Sequence, residues 1–146
     1  MEEVDIGYPH SNAKRVVKKG FRTIRNRMVA ARLDEAYYDG RREDGYGGFR
    51  YDGRWAKIIP NLAERYGLDA NSPVLDVGCK KGFFLHDLKE AFPGITVKGV
   101  ENHPYPLEHA MESVKDDLVL ASYRELPFED GQFDFVMAYA SIYMLN

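Results

Sequence analysis

The stretch Val74-Leu75-Asp76-Val77-Gly78-Cys79-Lys80-Lys81-Gly82, continued by Phe83-Phe84-Leu85-His86-Asp87-Leu88, decides the fold. A short apolar run with β-branched residues, broken by glycines and followed by helix-forming residues, reads as strand, tight turn, helix. In an α/β sheet such a junction holds an anionic or polar cofactor. Gly78 and Gly82 permit backbone conformations and close approach that a Cβ hinders, and the first N–H groups of the new helix are left without helical partners. Asp76 stands at the strand's end, facing the same place. The spacing excludes two rivals. Gly78 and Gly82 are four apart, so a Gly-x-Gly-x-x-Gly fingerprint fails at its second glycine, and Phe83 after Gly82 rules out a phosphate loop ending Gly-Lys-Ser/Thr.

Working downstream, Pro93-Gly94 makes a turn and residues 95–100 read as a second strand ended by Glu101. An acid about 20 residues beyond a glycine turn is placed to accept hydrogen bonds from ribose hydroxyls. Residues 102–114 read as a helix opened by Pro104 and Pro106, residues 116–120 as a short third strand, and residues 135–139 as a buried fourth strand. Upstream, residues 55–66 form a helix with Pro60 in its first turn and Gly67 at its end. Phe21, Ile24, Met28, Ala31 and Leu33 recur at helical spacing, predicting one amphipathic helix to about Tyr38 with arginines on its other face; Ser11 or Asn12 could cap a basic helix before it. Between them, residues 41–55 are a structured loop dense in glycine. Tyr46, Phe49, Tyr51 and Trp55 in it either cover an edge of the domain or belong to a lid over a cleft, with Arg50 or Arg54 available to a carboxylate or phosphate.

Strands alternating with helices imply a parallel sheet covered on both faces, its first strand beside its fourth and its ligand above the carboxyl ends at that reversal. The expected fold is therefore α/β, a doubly wound Rossmann-like parallel sheet preceded by a helical N-terminal segment. The expected division is 1–55 as a helical, Gly- and aromatic-rich extension or lid and 56–146 as a cofactor-binding domain.

A chain of 146 residues with 45% hydrophobic and 29% charged residues can bury a single core, and no apolar run approaches the roughly 20 residues of a membrane span. With Cys79 as its one cysteine and acids at Glu2, Glu3 and Asp5, a reducing cytoplasm is the expected setting. The net charge of −3 hides a basic run, Lys14, Arg15, Lys18, Lys19, Arg22, Arg25, Arg27 and Arg32, readable as a solvated face or as an arm for an anionic partner. His86, His103 and His109 lack partners at metal spacing, so they read as surface or packing residues and no metal is expected.

At Asp76, Gly78 and Gly82 the chain resembles the class I S-adenosylmethionine-dependent methyltransferases, whose first motif is Asp/Glu-x-Gly-x-Gly-x-Gly; Lys80 replaces the middle glycine. A second block, Leu126-Pro127-Phe128-x-Asp130-x-x-Phe133-Asp134-x-Val136, resembles the segment leading into the fourth strand of the same family. The resemblance implies S-adenosylmethionine as cofactor, with Asp76, Gly78, Cys79, Lys80 and Gly82 around its methionine part, Glu101 on the ribose, and Ser122 with Tyr123 beside the adenine. It implies transfer of a methyl group to an acceptor, most simply a small molecule; the alternatives are an inactive relative that binds nucleoside or partner, and a nucleic-acid methyltransferase using the basic arm. It also implies further strands after the fourth, so the sheet is expected to be incomplete at the C-terminus and residues 56–146 to be the N-terminal part of a longer cofactor-binding domain. No catalytic residue, acceptor or oligomeric state follows from these motifs.

Overall fold

In the computed structural model, which describes residues 5–9 and 22–141, the opening stretch folds as strand, turn and helix: β1 is Val74–Val77 and the helix is Phe83–Ala91. Two compact units result, Met1–Tyr8 with Gly53–Asn146, and Pro9–Asp52.

The larger unit is built on a four-stranded parallel sheet in the order β3-β2-β1-β4, where β2 is Val97–Glu101, β3 is Leu118–Leu120 and β4 is Phe135–Met137. Val74 pairs with Val97 on one side and with Phe135 on the other, and Gly99 pairs with Leu118. The chain thus leaves β1 toward β3 and returns to the opposite side of β1 as β4, which sets the strand-order reversal at the carboxyl end of β1. Ile59–Tyr66 is a helix with Pro60 in its first turn and Gly67 in the left-handed conformation at its end, preceded by a 3-10 turn at Trp55–Lys57. Ile58, Ile59 and Leu62 pack with Val74, Leu85, Leu88, Val97 and Val114 into the core. Each such side chain, fully buried, contributes about 1.5–3 kcal/mol.

Several expectations need correction. The helix read over 102–114 is confined to Pro104–Glu108, because the Met111 N–H donates to the Lys81 carbonyl (2.9 Å) and ties this segment to the glycine turn instead of to a further helical turn. The third strand starts two residues late, after a 3-10 turn at Lys115–Asp117. β4 ends at Met137 and is buried on one face only: Met137 enters the core and Phe135 packs against it, while Val136 is 53% exposed, and the strand pairs with β1 alone among the described strands.

In the smaller unit the single predicted helix is two, α1 at Ile24–Ala30 and α2 at Glu35–Tyr38. Leu33 takes a left-handed φ of 51° and Asp34 caps the Ala36 N–H, so the chain stops and restarts there. The predicted apolar stripe is not buried either: Ile24 and Met28 are exposed while Asn26 is buried. Tyr46 and Phe49 pack on Tyr38, and Tyr46 also on Tyr37. Trp55 belongs to the other unit, where it packs on Tyr8, Phe84 and Tyr139. The aromatics of residues 41–55 therefore split between two clusters, and Tyr51 remains exposed. Lys14, Arg15, Lys18, Lys19, the Ser11 or Asn12 cap and residues 142–146 lie outside the described residues. Among the described residues no helix is long and apolar enough to cross a membrane.

Candidate functional site

The turn after β1 is held against β2 by its own backbone. The Gly78 and Cys79 N–H groups both donate to the Val100 carbonyl (2.8 and 3.1 Å), and the Gly82 N–H donates to the Cys79 carbonyl (2.9 Å). Three of its residues are left-handed: Gly78 at φ 84°, Lys80 at 54° and Gly82 at 75°. Gly78 is also required sterically, since a Cβ there would meet the Ser141 Cβ at 2.4 Å. Lys80 carries a side chain in a conformation that glycine adopts at no steric cost, at a penalty of about 1–2 kcal/mol. Its Nζ turns back to the Gly78 carbonyl at 3.4 Å.

Glu101 closes β2 and is 2% exposed. Its carboxylate accepts the Lys80 N–H on Oε2 (3.0 Å) and the Asn102 N–H and Tyr123 hydroxyl on Oε1 (2.9 and 2.6 Å). The turn and the acid are therefore one unit, because the residue in the middle-glycine position is bonded through its backbone to the carboxylate. A carboxylate offers about four lone-pair positions. Three are taken by these donors, which leaves room on Oε2, while the Tyr123 hydroxyl is a side-chain donor able to yield its place.

Asp76 lies beneath the turn, 6% exposed, and its pKa is raised from 3.8 to about 7 by burial, with Lys80 pulling it down and Glu101 pushing it up. Cys79 is buried against Gly99, and burial together with Asp76 and Glu101 pushes its thiol well up, which makes it a packing residue and not a nucleophile. Ser122 is separate from this cluster: it is exposed and its Oγ accepts the Arg124 N–H (3.1 Å). Of the eight expected site residues, the fold thus gathers Asp76, Gly78, Cys79, Lys80, Gly82, Glu101 and Tyr123, and leaves Ser122 in a local turn at the edge.

Two residues escaped the sequence reading. Ser141 donates to the Val77 carbonyl (2.6 Å) and lies over Gly78, so the segment after β4 covers the glycine turn. Asn102 holds a buried Oδ1 for which no hydrogen-bond partner exists among the described residues. Ser141 had no motif to mark it; Asn102 could have been suspected as the neighbour of Glu101. His86 bonds Ser113 Oγ (2.6 Å) across the chain, and His109 bonds the Tyr105 carbonyl one turn back (2.9 Å).

These features suit a nucleoside that brings hydroxyl and amino donors. Spare acceptor capacity on Glu101 and an orphan acceptor on Asn102 are what such a ligand requires, since a buried polar group is costly unless paired.

Residues 75–146 match the family model described as a methyltransferase domain. The sterol 24-C-methyltransferase erg6 of Schizosaccharomyces pombe is 36% identical over 84 residues, 53% of this chain and 22% of that protein. Among solved structures, mmp1179 of Methanococcus maripaludis, itself assigned only provisionally as an S-adenosyl-L-methionine-dependent methyltransferase, has a TM-score of 0.57 and 16% identity over 92% of this chain and 57% of its own. A SAM-dependent methyltransferase from Aquifex aeolicus has a TM-score of 0.45 and 20% identity over 60% of this chain and 56% of its own. The chain thus spans about a fifth of the curated relative's length. Motif, sheet order and family match agree: over residues 75–146 this chain belongs to the class I methyltransferase domains, whose cofactor is S-adenosylmethionine.

Proposed function

We propose that this chain supplies the nucleoside-binding part of an enzyme that transfers a methyl group from S-adenosylmethionine to a small-molecule acceptor. The observation that carries the reading is the buried Glu101 carboxylate, fixed by the Lys80 and Asn102 N–H groups beside the Gly78–Gly82 turn. In this reading the ribose hydroxyls donate to Glu101, one to the spare position on Oε2 and one in exchange for the Tyr123 hydroxyl. A hydrogen bond to a charged group contributes about 1.5–3 kcal/mol. Asp76 sits beneath the turn with a carboxyl poised to ionise near neutral pH. A cation placed near it, such as the cofactor's ammonium group, favours the ionised form. Lys80 provides a positive charge for a carboxylate on the same ligand.

When bound, S-adenosylmethionine supplies a methyl group on a sulfonium that a nucleophile displaces in line. The chain's own contribution is alignment: a rigid turn, a fixed acid and the Ser141 segment that covers Gly78. A small-molecule acceptor is favoured over nucleic acid because Tyr46 and Phe49, which a strand of bases could have stacked on, are packed on Tyr37 and Tyr38. Calorimetry with S-adenosylmethionine, S-adenosylhomocysteine and NAD tests the reading. Binding of the first two and not the third is expected; indifference to all three overturns it.

A further inference from the structure

α1 is inverted relative to an ordinary surface helix. Its buried side chain is the polar Asn26, whose Nδ2 donates to Asp44 Oδ1 at 2.7 Å, while Ile24 and Met28, one turn apart, are 79% and 66% exposed. At 100° per residue, Ile24, Met28 and the C-cap Ala31 share one stripe. Arg27 flanks it on one side and Arg25 on the other, with Arg32 just beyond the cap; all three are exposed. From Arg22 to Leu33 there is no acidic residue. Arg22 reaches the Gly45 and Arg42 carbonyls (3.4 and 3.5 Å), and Asn26 bonds Asp44, so the helix is fastened by its polar face and presents the apolar one.

We propose that this face docks on an anionic lipid bilayer. An apolar stripe bordered by arginines is the arrangement of a helix lying in the membrane interface: the aliphatic side chains enter the headgroup and acyl boundary while the guanidinium groups meet lipid phosphates. The charge pattern selects an anionic partner, and the aliphatic centre selects lipid over nucleic acid, since a phosphate backbone gives Ile24 and Met28 nothing apolar to enter. The helix is short, so binding is reversible and depends on both terms.

The test is flotation of the full chain with vesicles of phosphatidylcholine alone and with about one third phosphatidylserine. Binding to the anionic vesicles only, falling as salt rises, is expected. Ile24→Ser with Met28→Ser, and separately Arg25→Gln with Arg27→Gln and Arg32→Gln, should each reduce partitioning at least tenfold. Unchanged tyrosine near-ultraviolet dichroism shows that the unit stays folded, because the substituted residues are exposed. No flotation on anionic vesicles overturns the proposal. So does flotation that the serine pair leaves unchanged, or tighter retention of the parent on a single-stranded RNA oligonucleotide than on anionic vesicles.

Discussion

Lys80→Gly isolates the residue at which this turn departs from its family's motif. Lys80 holds φ 54°, and relief of that conformation is worth about 1–2 kcal/mol. Glycine gains freedom in the unfolded chain, which returns about 0.4–1 kcal/mol of this, and the 3.4 Å contact from Nζ to the Gly78 carbonyl is too long to add much. The net expectation is a stabilisation of about 0.5–1 kcal/mol at pH 5, where Asp76 is protonated. At pH 8 Asp76 is ionised, and the substitution removes the charge that lowers its pKa, so the gain shrinks or vanishes. Urea unfolding followed by Trp55 fluorescence reports on the correct unit, because Trp55 is the chain's one tryptophan and packs on Phe84 at the start of the helix after the turn. Lys80→Ala keeps the strained backbone and removes the charge, so it should not stabilise at either pH. Destabilisation by Lys80→Gly at pH 5, or equal stabilisation by alanine, would refute the reasoning.

Asp76 gives a pH signature. Its folded pKa of about 7 lies above the ordinary 3.8 of an aspartate, so the folded state binds the extra proton; the resulting stability is present below about pH 4 and is lost as pH rises through about 7. Asp76→Asn should therefore remove on the order of 3–4 kcal/mol of stability loss between pH 4 and 8, read as the difference between the parent and variant unfolding curves; parallel curves would count against it. Gly78→Ala must accommodate a Cβ 2.4 Å from the Ser141 Cβ at φ 84°, and should cost about 3 kcal/mol in the same urea assay. Ser141→Ala deletes the hydrogen bond to the Val77 carbonyl and should cost about 1 kcal/mol; no change would mean that the segment after β4 does not secure the turn.

The sheet was legible in the sequence because its signals were local: β-branched runs, glycine punctuation, and an acid spaced about 20 residues beyond the turn. The helix that starts at Phe83 and the placement of β1 beside β4 followed from them. What was not legible depended on contacts across the chain. The Lys81 carbonyl captures the Met111 N–H and shortens the Pro104 helix. Asn26 finds Asp44 and turns α1 over, which periodicity alone predicts the wrong way round because it assumes that the apolar stripe is the buried one. In the site, residue identity pointed to Asp76, Gly78 and Glu101, and sequence distance could not show that the Lys80 backbone bonds the Glu101 carboxylate, nor that Tyr123 and not Ser122 reaches it.

The most direct test compares S-adenosylhomocysteine with an analogue lacking both ribose hydroxyls, by calorimetry on the parent chain and on Glu101→Gln. If Glu101 accepts the ribose hydroxyls, the parent should prefer the intact ribose by at least tenfold, the lower end expected for charged hydrogen bonds when the Tyr123 hydroxyl must be displaced. Glu101→Gln should lose most of that preference while still binding the analogue. A parent that binds both ligands equally, or a glutamine variant that keeps the full preference, would contradict the assignment of Glu101.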